Sequence, residues 1–148
     1  MTIANRPLLA PGFHEITPAQ IAKFFLDPLP LSHRRPILVA GLLRYLNDLA
    51  ATKVKCEVWI DGSFTTDKVE PNDVDLVVVW DRSWQTKLNV EDLARFDHLL
   101  DRPRAIRRYQ CDVYSAESTD IGMMAYLRGL FGFMRDGRTP KGIGVISL

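Results

Sequence analysis

Two aspartates near the middle of the chain have the spacing of a metal site. Asp73 and Asp75 open an apolar run that continues to residue 80. In a strand, side chains two residues apart point to the same face, so both carboxylates project the same way. Neighbouring carboxylates repel each other, and a hard divalent cation such as Mg²⁺ relieves that repulsion while often sharing substrate phosphates as ligands. The pair therefore predicts a divalent-cation site.

A glycine and a serine at the end of the preceding apolar run suit a phosphate group. Gly62 and Ser63 follow residues 54–60, and Ser63 precedes Asp73 by ten positions. Glycine lets a ligand approach the backbone closely, while backbone N–H groups and the serine hydroxyl donate hydrogen bonds to phosphate oxygens. Together with the aspartates, this pair predicts a site for a metal and a nucleotide. A plain turn after the strand is the alternative.

The combined pattern resembles that of the DNA polymerase β-like nucleotidyltransferase superfamily. The pattern consists of an apolar residue, Gly62 and Ser63, a link of about ten residues, and then Asp73 and Asp75 around one apolar residue. The chain length and the segment 138–143 also look like small bacterial members of that superfamily. The resemblance implies a single nucleotidyltransferase-like domain over residues 1–148. It also implies transfer of an NMP unit from an NTP to a hydroxyl on a small molecule, an RNA end or a protein.

The resemblance also implies roles for individual residues. A third carboxylate is expected on a later apolar strand, and Asp112 fits that description. Asp73, Asp75 and Asp112 would then be the catalytic and metal-binding residues, with two Mg²⁺ ions stabilising the attacking and leaving oxygens. Gly62 and Ser63 would hold the β- and γ-phosphates of the NTP.

The basic residue that many superfamily members carry shortly after Gly-Ser is absent here. Asp67 lies in that segment instead, and Lys68 is the first base after it. Lys68 is therefore the expected nucleotide-binding cation, with Arg104 and Lys141 as further candidates for phosphate contacts.

Two of the three carboxylates also have an alternative interpretation. Asp73 follows Pro71 and Asn72 and would suit a turn. Asp112 would suit an ion pair with Arg107 or Arg108 across the sheet. The alternative functions are a catalytically silent version of the same fold, acting as a binding or antitoxin-like regulatory subunit, and a glycosyltransferase that uses a sugar nucleotide. The glycosyltransferase is disfavoured because it needs no upstream Gly-Ser.

The composition narrows the expected partners and location. A net formal charge of +1 argues against an extended nucleic-acid surface. Cys56 and Cys111 lie in apolar settings without metal-ligand spacing, as expected for core thiols in a reducing compartment. No apolar run approaches a membrane span, and no signal peptide is evident, so we expect a cytoplasmic protein. Only 36 residues follow Asp112, so acceptor binding is expected to need a partner protein or a homodimer.

The periodicity predicts an α/β (α+β) fold with a small mixed sheet, flanking helices and N-terminal helices. Residues 1–15 are expected to form an extended N-terminal arm. Strands are predicted at 54–60, 74–80 and 106–115, and residues 142–148 are expected to add a last strand or an ordered tail. Helices are predicted to start at Pro18, capped by Thr17, and after Ser32, and to span 89–100 and 119–134.

Overall fold

A computed structural model describes residues 5–148 of the chain. Its described part contains one five-stranded mixed sheet in the order β1-β5-β2-β3-β4. The β1–β5 and β3–β4 pairs are parallel, and β2 is antiparallel to both of its neighbours. The strands are β1 (Gly12–Glu15), β2 (Cys56–Asp61), β3 (Val74–Trp80), β4 (Cys111–Glu117) and β5 (Gly142–Ser147).

Helices cover both faces of the sheet. One face packs on α1, α2, α4 and α5 through a large apolar core, and the other packs on α6 through a smaller one that includes Leu127 and Phe131. The expected mixed α/β fold with a small mixed sheet and flanking helices is confirmed. The helices are α1 (Ile21–Phe25), α2 (Arg34–Ala51), α3 (Trp84–Lys87), α4 (Val90–Leu99), α5 (Arg102–Tyr109) and α6 (Ile121–Phe131).

The predicted helix starts are confirmed at the N-terminal end. A 3-10 turn at Pro18–Gln20 leads into α1, and the Gln20 side chain accepts a hydrogen bond from the Thr17 N–H at 2.9 Å. Ser32 Oγ accepts a hydrogen bond from the Arg35 N–H at 3.0 Å and so caps the first turn of α2. These contacts satisfy N–H groups that would otherwise lack partners.

The prediction of a strand over residues 106–115 is wrong in its first half. Residues 102–109 form α5, and the strand β4 begins only at Cys111. The Asp101 side chain caps α5 by accepting from the Arg104 N–H, and Ala105 and Tyr109 place a buried stripe on one face. Gln110 then adopts a left-handed conformation, with φ of 55°, which ends the helix.

Two other boundaries differ from the predictions. The predicted N-terminal arm includes an edge strand, because Gly12–Glu15 pairs with β5. Residues 1–4 of the arm lie outside the described part of the chain. The last helix ends at Phe131 rather than at residue 134. A bridge between Phe133 and Pro140 then closes a short loop that leads into β5. No helix in residues 5–148 is long and apolar enough to span a membrane.

Candidate metal and phosphate site

Three aspartates lie side by side on β2, β3 and β4, near one end of these strands. Asp61, the last residue of β2, lies opposite Asp75 in the antiparallel register, and Asp75 lies opposite Asp112 in the parallel register with β4. Residues that face each other across neighbouring strands point to the same side of a sheet. Asp73, two positions before Asp75, shares this side, which is the side that α6 covers. The fold therefore gathers four carboxylates at one end of this face.

The three aspartates predicted from the sequence lie close together. One carboxylate oxygen from each of Asp73, Asp75 and Asp112 lies within 4.8 Å of the other two, and all three side chains are half-buried. Oxygens on opposite sides of a Mg²⁺ ion lie about 4.2 Å apart, given metal–oxygen distances of about 2.1 Å. Small side-chain rotations would thus bring these oxygens around one ion.

Burial and mutual repulsion make this cluster electrostatically costly. Burial, followed by the charges of Asp73 and Asp112, raises the pKa of Asp75 to about 6. Burial and the charge of Asp112 also raise the pKa of Asp73, although Arg34 and Lys68 oppose that rise. Both shifts mean that the charged carboxylates lack sufficient counter-charge. A divalent cation would supply it.

The backbone at Gly62 approaches the cluster so closely that a side chain there would not fit. A Cβ atom at this position would overlap Asp75 Oδ2, and the φ of Gly62 is +82°, which other residues rarely adopt. Ser63 then begins a 3-10 turn, Ser63–Thr65, that faces the same cavity. Gly62 and Ser63 thus lie beside the carboxylates, as predicted.

A buried arginine holds the loop that follows this turn. Arg35, which has no exposed surface, donates hydrogen bonds to the carbonyl oxygens of Phe64, Thr66 and Lys68 at 2.6–3.2 Å. Since these carbonyls point towards α2, the loop is fixed from behind. Lys68 is thereby kept at the rim of the cavity.

Asp61 and Lys141 form a buried part of the site that the sequence predictions did not assign. Asp61 has no exposed surface, and neither of its carboxylate oxygens has a hydrogen-bond partner in the described part of the chain. Burial raises the pKa of Asp61 and lowers that of Lys141, while the charge of each residue opposes the shift of the other. Lys141 was named only as a candidate for phosphate contacts. The indication for Asp61 was its place in the alternation of β2, two residues after Trp59.

A cavity of about 800 Å³ is lined by Gly62, Ser63, Asp73 and Asp75, but not by Asp61 or Asp112. Its size lies in the range of small-molecule sites. Lys68 and Lys141 line it, whereas Arg104 does not. The end of α6 and the loop after it also line the cavity, with the apolar residues Leu130, Phe131, Phe133 and Met134 and the charged residues Arg135 and Asp136.

The predicted alternative partners of Asp112 are wrong, although the carboxylate does pair with an arginine. Arg107 and Arg108 lie on α5 rather than in the sheet. Arg102, the first residue of α5, instead donates from Nε to Asp112 Oδ1 at 2.9 Å and from Nη2 to Oδ2 at 3.1 Å. Because the helix α5 was not predicted, nothing in the sequence pattern pointed to this pair.

Fold and site together define a mixed α/β protein with a carboxylate cluster beside a glycine turn. The sequence matches a family described as "Family of unknown function (DUF6932)" over residues 1–147, so the chain belongs to this family. No curated protein and no solved structure matches the chain.

Proposed function

We propose that this protein is a metal-dependent nucleotidyltransferase that moves an NMP unit from an NTP to a hydroxyl acceptor. The observation that carries the proposal is the contact between two features that are far apart in the sequence. Gly62 packs so closely on the Asp75 carboxylate that no side chain fits between them. The Gly62–Ser63 turn and the carboxylates of Asp73 and Asp75 thus adjoin in one cavity, as a metal-bound NTP would require.

The chain's own residues fit the two ends of an NTP. Ser63 and Lys68 line the polar wall and would hold the phosphates through a hydroxyl and an ammonium group. Leu130 and Phe133, which are 47% and 38% exposed, offer apolar surface to the base and ribose. The cavity is large enough for the whole nucleotide.

Asp73, Asp75 and Asp112 would hold Mg²⁺, which when bound would neutralise the charge that develops on the phosphates. In the proposed reaction, the acceptor oxygen forms a bond to the α-phosphorus and the bond to the leaving pyrophosphate breaks. The acceptor proton passes to a carboxylate of the cluster. The buried Lys141 would keep the backbone at Gly62 in place through a hydrogen bond to its carbonyl oxygen.

The proposal is tested by incubation with each α-³²P-labelled NTP and Mg²⁺, with and without cell extract, followed by a search for label on any acceptor. Wild-type protein should transfer label and release pyrophosphate, and Asp73→Asn/Asp75→Asn should do neither. Asp97→Asn serves as the control because it removes an exposed carboxylate of α4 outside the cavity. Failure of the wild type with all four nucleotides and extract, together with no NTP binding, would contradict the proposal.

A catalytically silent binding or regulatory subunit of the same fold is the second candidate. One observation favours it: both oxygens of Asp112 already accept hydrogen bonds from Arg102. In that case the protein would bind an NTP and Mg²⁺ but would transfer no label to any acceptor. The labelling experiment separates the two candidates.

A further inference from the structure

The carboxylate cluster is asymmetric in its counter-charges. Within residues 5–148, Asp112 forms an ion pair, whereas neither Asp73 nor Asp75 does. Asp112 accepts from two nitrogens of one guanidinium, and this bidentate geometry is the strongest form of such a pair. The cluster thus has one carboxylate with a fixed cation and two without.

The guanidinium that pairs with Asp112 is held from more than one side. Its carbon lies 4.4 Å from the centre of the Tyr114 ring, and Nη2 lies 3.3 Å from the Tyr114 hydroxyl. Tyr114 in turn packs edge-on against Phe131 of α6, with ring centres 5.4 Å apart. Stacking on an aromatic face and bidentate pairing both favour arginine over lysine.

We propose that Arg102 takes the place of a second metal ion in this cluster, so that the site binds one divalent cation, at Asp73 and Asp75. An arginine side chain stays positively charged in proteins, so this cation is present at any working pH. Two metal ions in such sites lie about 4 Å apart. A second ion at Asp112 would have to displace the Arg102 guanidinium, or the repulsion between the two positive charges would weaken its binding. The inference rests on the proposed function, but it replaces the two Mg²⁺ ions that the sequence resemblance implies with one. It also assigns Asp112 to Arg102 rather than to the metal.

The test counts Mn²⁺ ions, which are visible by electron paramagnetic resonance, bound per chain in the presence of non-hydrolysable analogues of the four NTPs. Wild-type protein should bind one ion without the spin–spin broadening of a close Mn²⁺ pair. Arg102→Gln removes the charge and should bind two ions with such broadening. Arg102→Lys keeps a charge and should bind one. Arg95→Gln is the matched control, because Arg95 also pairs with an aspartate through its guanidinium, but that aspartate, Asp92, is not part of the carboxylate cluster.

The outcomes separate this inference from the proposed function. Two ions in the wild type, or one ion in Arg102→Gln, would overturn the role of Arg102 and leave the proposed function standing. No bound ion in any variant would overturn both. Arg102→Met provides a second charge-removing variant if Arg102→Gln does not fold, as judged by circular dichroism.

Discussion

Lys141 donates a hydrogen bond from Nζ to the carbonyl oxygen of Gly62, 3.1 Å away. The contact joins residues 79 positions apart in the chain and fixes the backbone that packs on the carboxylate cluster. Lys141 is only 6% exposed, and its charge opposes the effect of burial on the pKa of Asp61. One buried ammonium group thus supports both the glycine turn and a buried carboxylate.

Lys141→Met should lower the free energy of unfolding by about 3 kcal/mol, because it leaves Asp61 buried without a balancing charge. Adding Asp61→Asn to the same chain should recover part of this loss, since the uncompensated carboxylate is then gone. Urea unfolding of the two single variants and the double variant measures the coupling. Lys55→Met, which removes an exposed lysine, is the control. Equal stability of Lys141→Met and Lys55→Met would contradict the prediction.

Gly62 and Gly12 both have positive φ, of +82° and +108°, but only Gly62 has a neighbour where a Cβ would lie. Gly12→Ala should therefore cost about 1 kcal/mol of stability from backbone strain alone. Gly62→Ala should cost more than that, because the Asp75 carboxylate must also move. It should also weaken Mg²⁺-dependent NTP binding by at least ~10-fold, a free-energy cost of about 1.4 kcal/mol.

Calorimetric titration and thermal melts of both alanine variants provide the measurement. The turn interpretation of Gly62 and Ser63 would be favoured if Gly62→Ala lost stability but bound the nucleotide as the wild type does.

The raised pKa of Asp75 predicts how stability depends on pH. In the folded state the pKa is about 6, against an ordinary value of 3.8. Between these values the folded protein holds the proton more tightly than the unfolded chain does, so stability falls as pH rises from about 4 to about 6. Above that range the full penalty applies. Each tenfold change in proton affinity corresponds to about 1.4 kcal/mol, so the penalty is roughly 2–3 kcal/mol.

Asp75→Asn should therefore be more stable than the wild type by about 2 kcal/mol at pH 8 and nearly equal to it at pH 4. Urea unfolding in the presence of EDTA at pH 4, 6 and 8 tests this, with Asp97→Asn as the control for an exposed carboxylate. Mg²⁺ should stabilise the wild type more at pH 8 than at pH 5, because protons and the metal compete for the same oxygens. A pH-independent difference between the two proteins would refute the assignment.

Local sequence patterns correctly predicted the helices and strands whose buried faces show as a regular spacing of apolar residues. The strand β3 is apolar along its length and is covered on both faces, and α2 shows leucines at helical spacing that all reach the core. Residues 106–109 are predicted as the start of a strand but belong to α5, because the cap at Asp101 and the amphipathic surface of the segment favour a short helix. The edge strand Gly12–Glu15 exists only through pairing with β5, a contact between the two ends of the chain that no local pattern encodes.

The sequence predicted those parts of the candidate site in which residues two positions apart lie in one strand. Asp73 and Asp75 differ by two positions, so their common face followed from the sequence alone. The proximity of Asp112 depends on the β3–β4 register, which places it opposite Asp75. The contributions of Arg102 and Lys141 depend on how α5 and β5 pack against that register, so they became apparent only in the structure.

A substitution at Asp112, which pairs with Arg102, best distinguishes an active enzyme from a catalytically silent binding subunit. The Arg102 side chain is 51% exposed, so solvent screens the pair and its contribution to stability is small. A group that stabilises developing charge acts mainly in the transition state. Asp112→Asn should therefore leave NTP affinity within about threefold of the wild type, a change of less than ~1 kcal/mol in binding free energy. It should lower label transfer by at least ~10³.

This expectation holds whether a second ion or Arg102 supplies the positive charge beside Asp112, because Asp112 orients either one. Single-turnover transfer, nucleotide titration and thermal melts of Asp112→Asn give the three readouts on one protein. Asp97→Asn again serves as the matched carboxylate-to-amide control. If Asp112 served only to anchor α5 to β4, the variant would melt at a lower temperature while any transfer activity persisted. That result would assign the Arg102–Asp112 pair to the fold and favour the silent module.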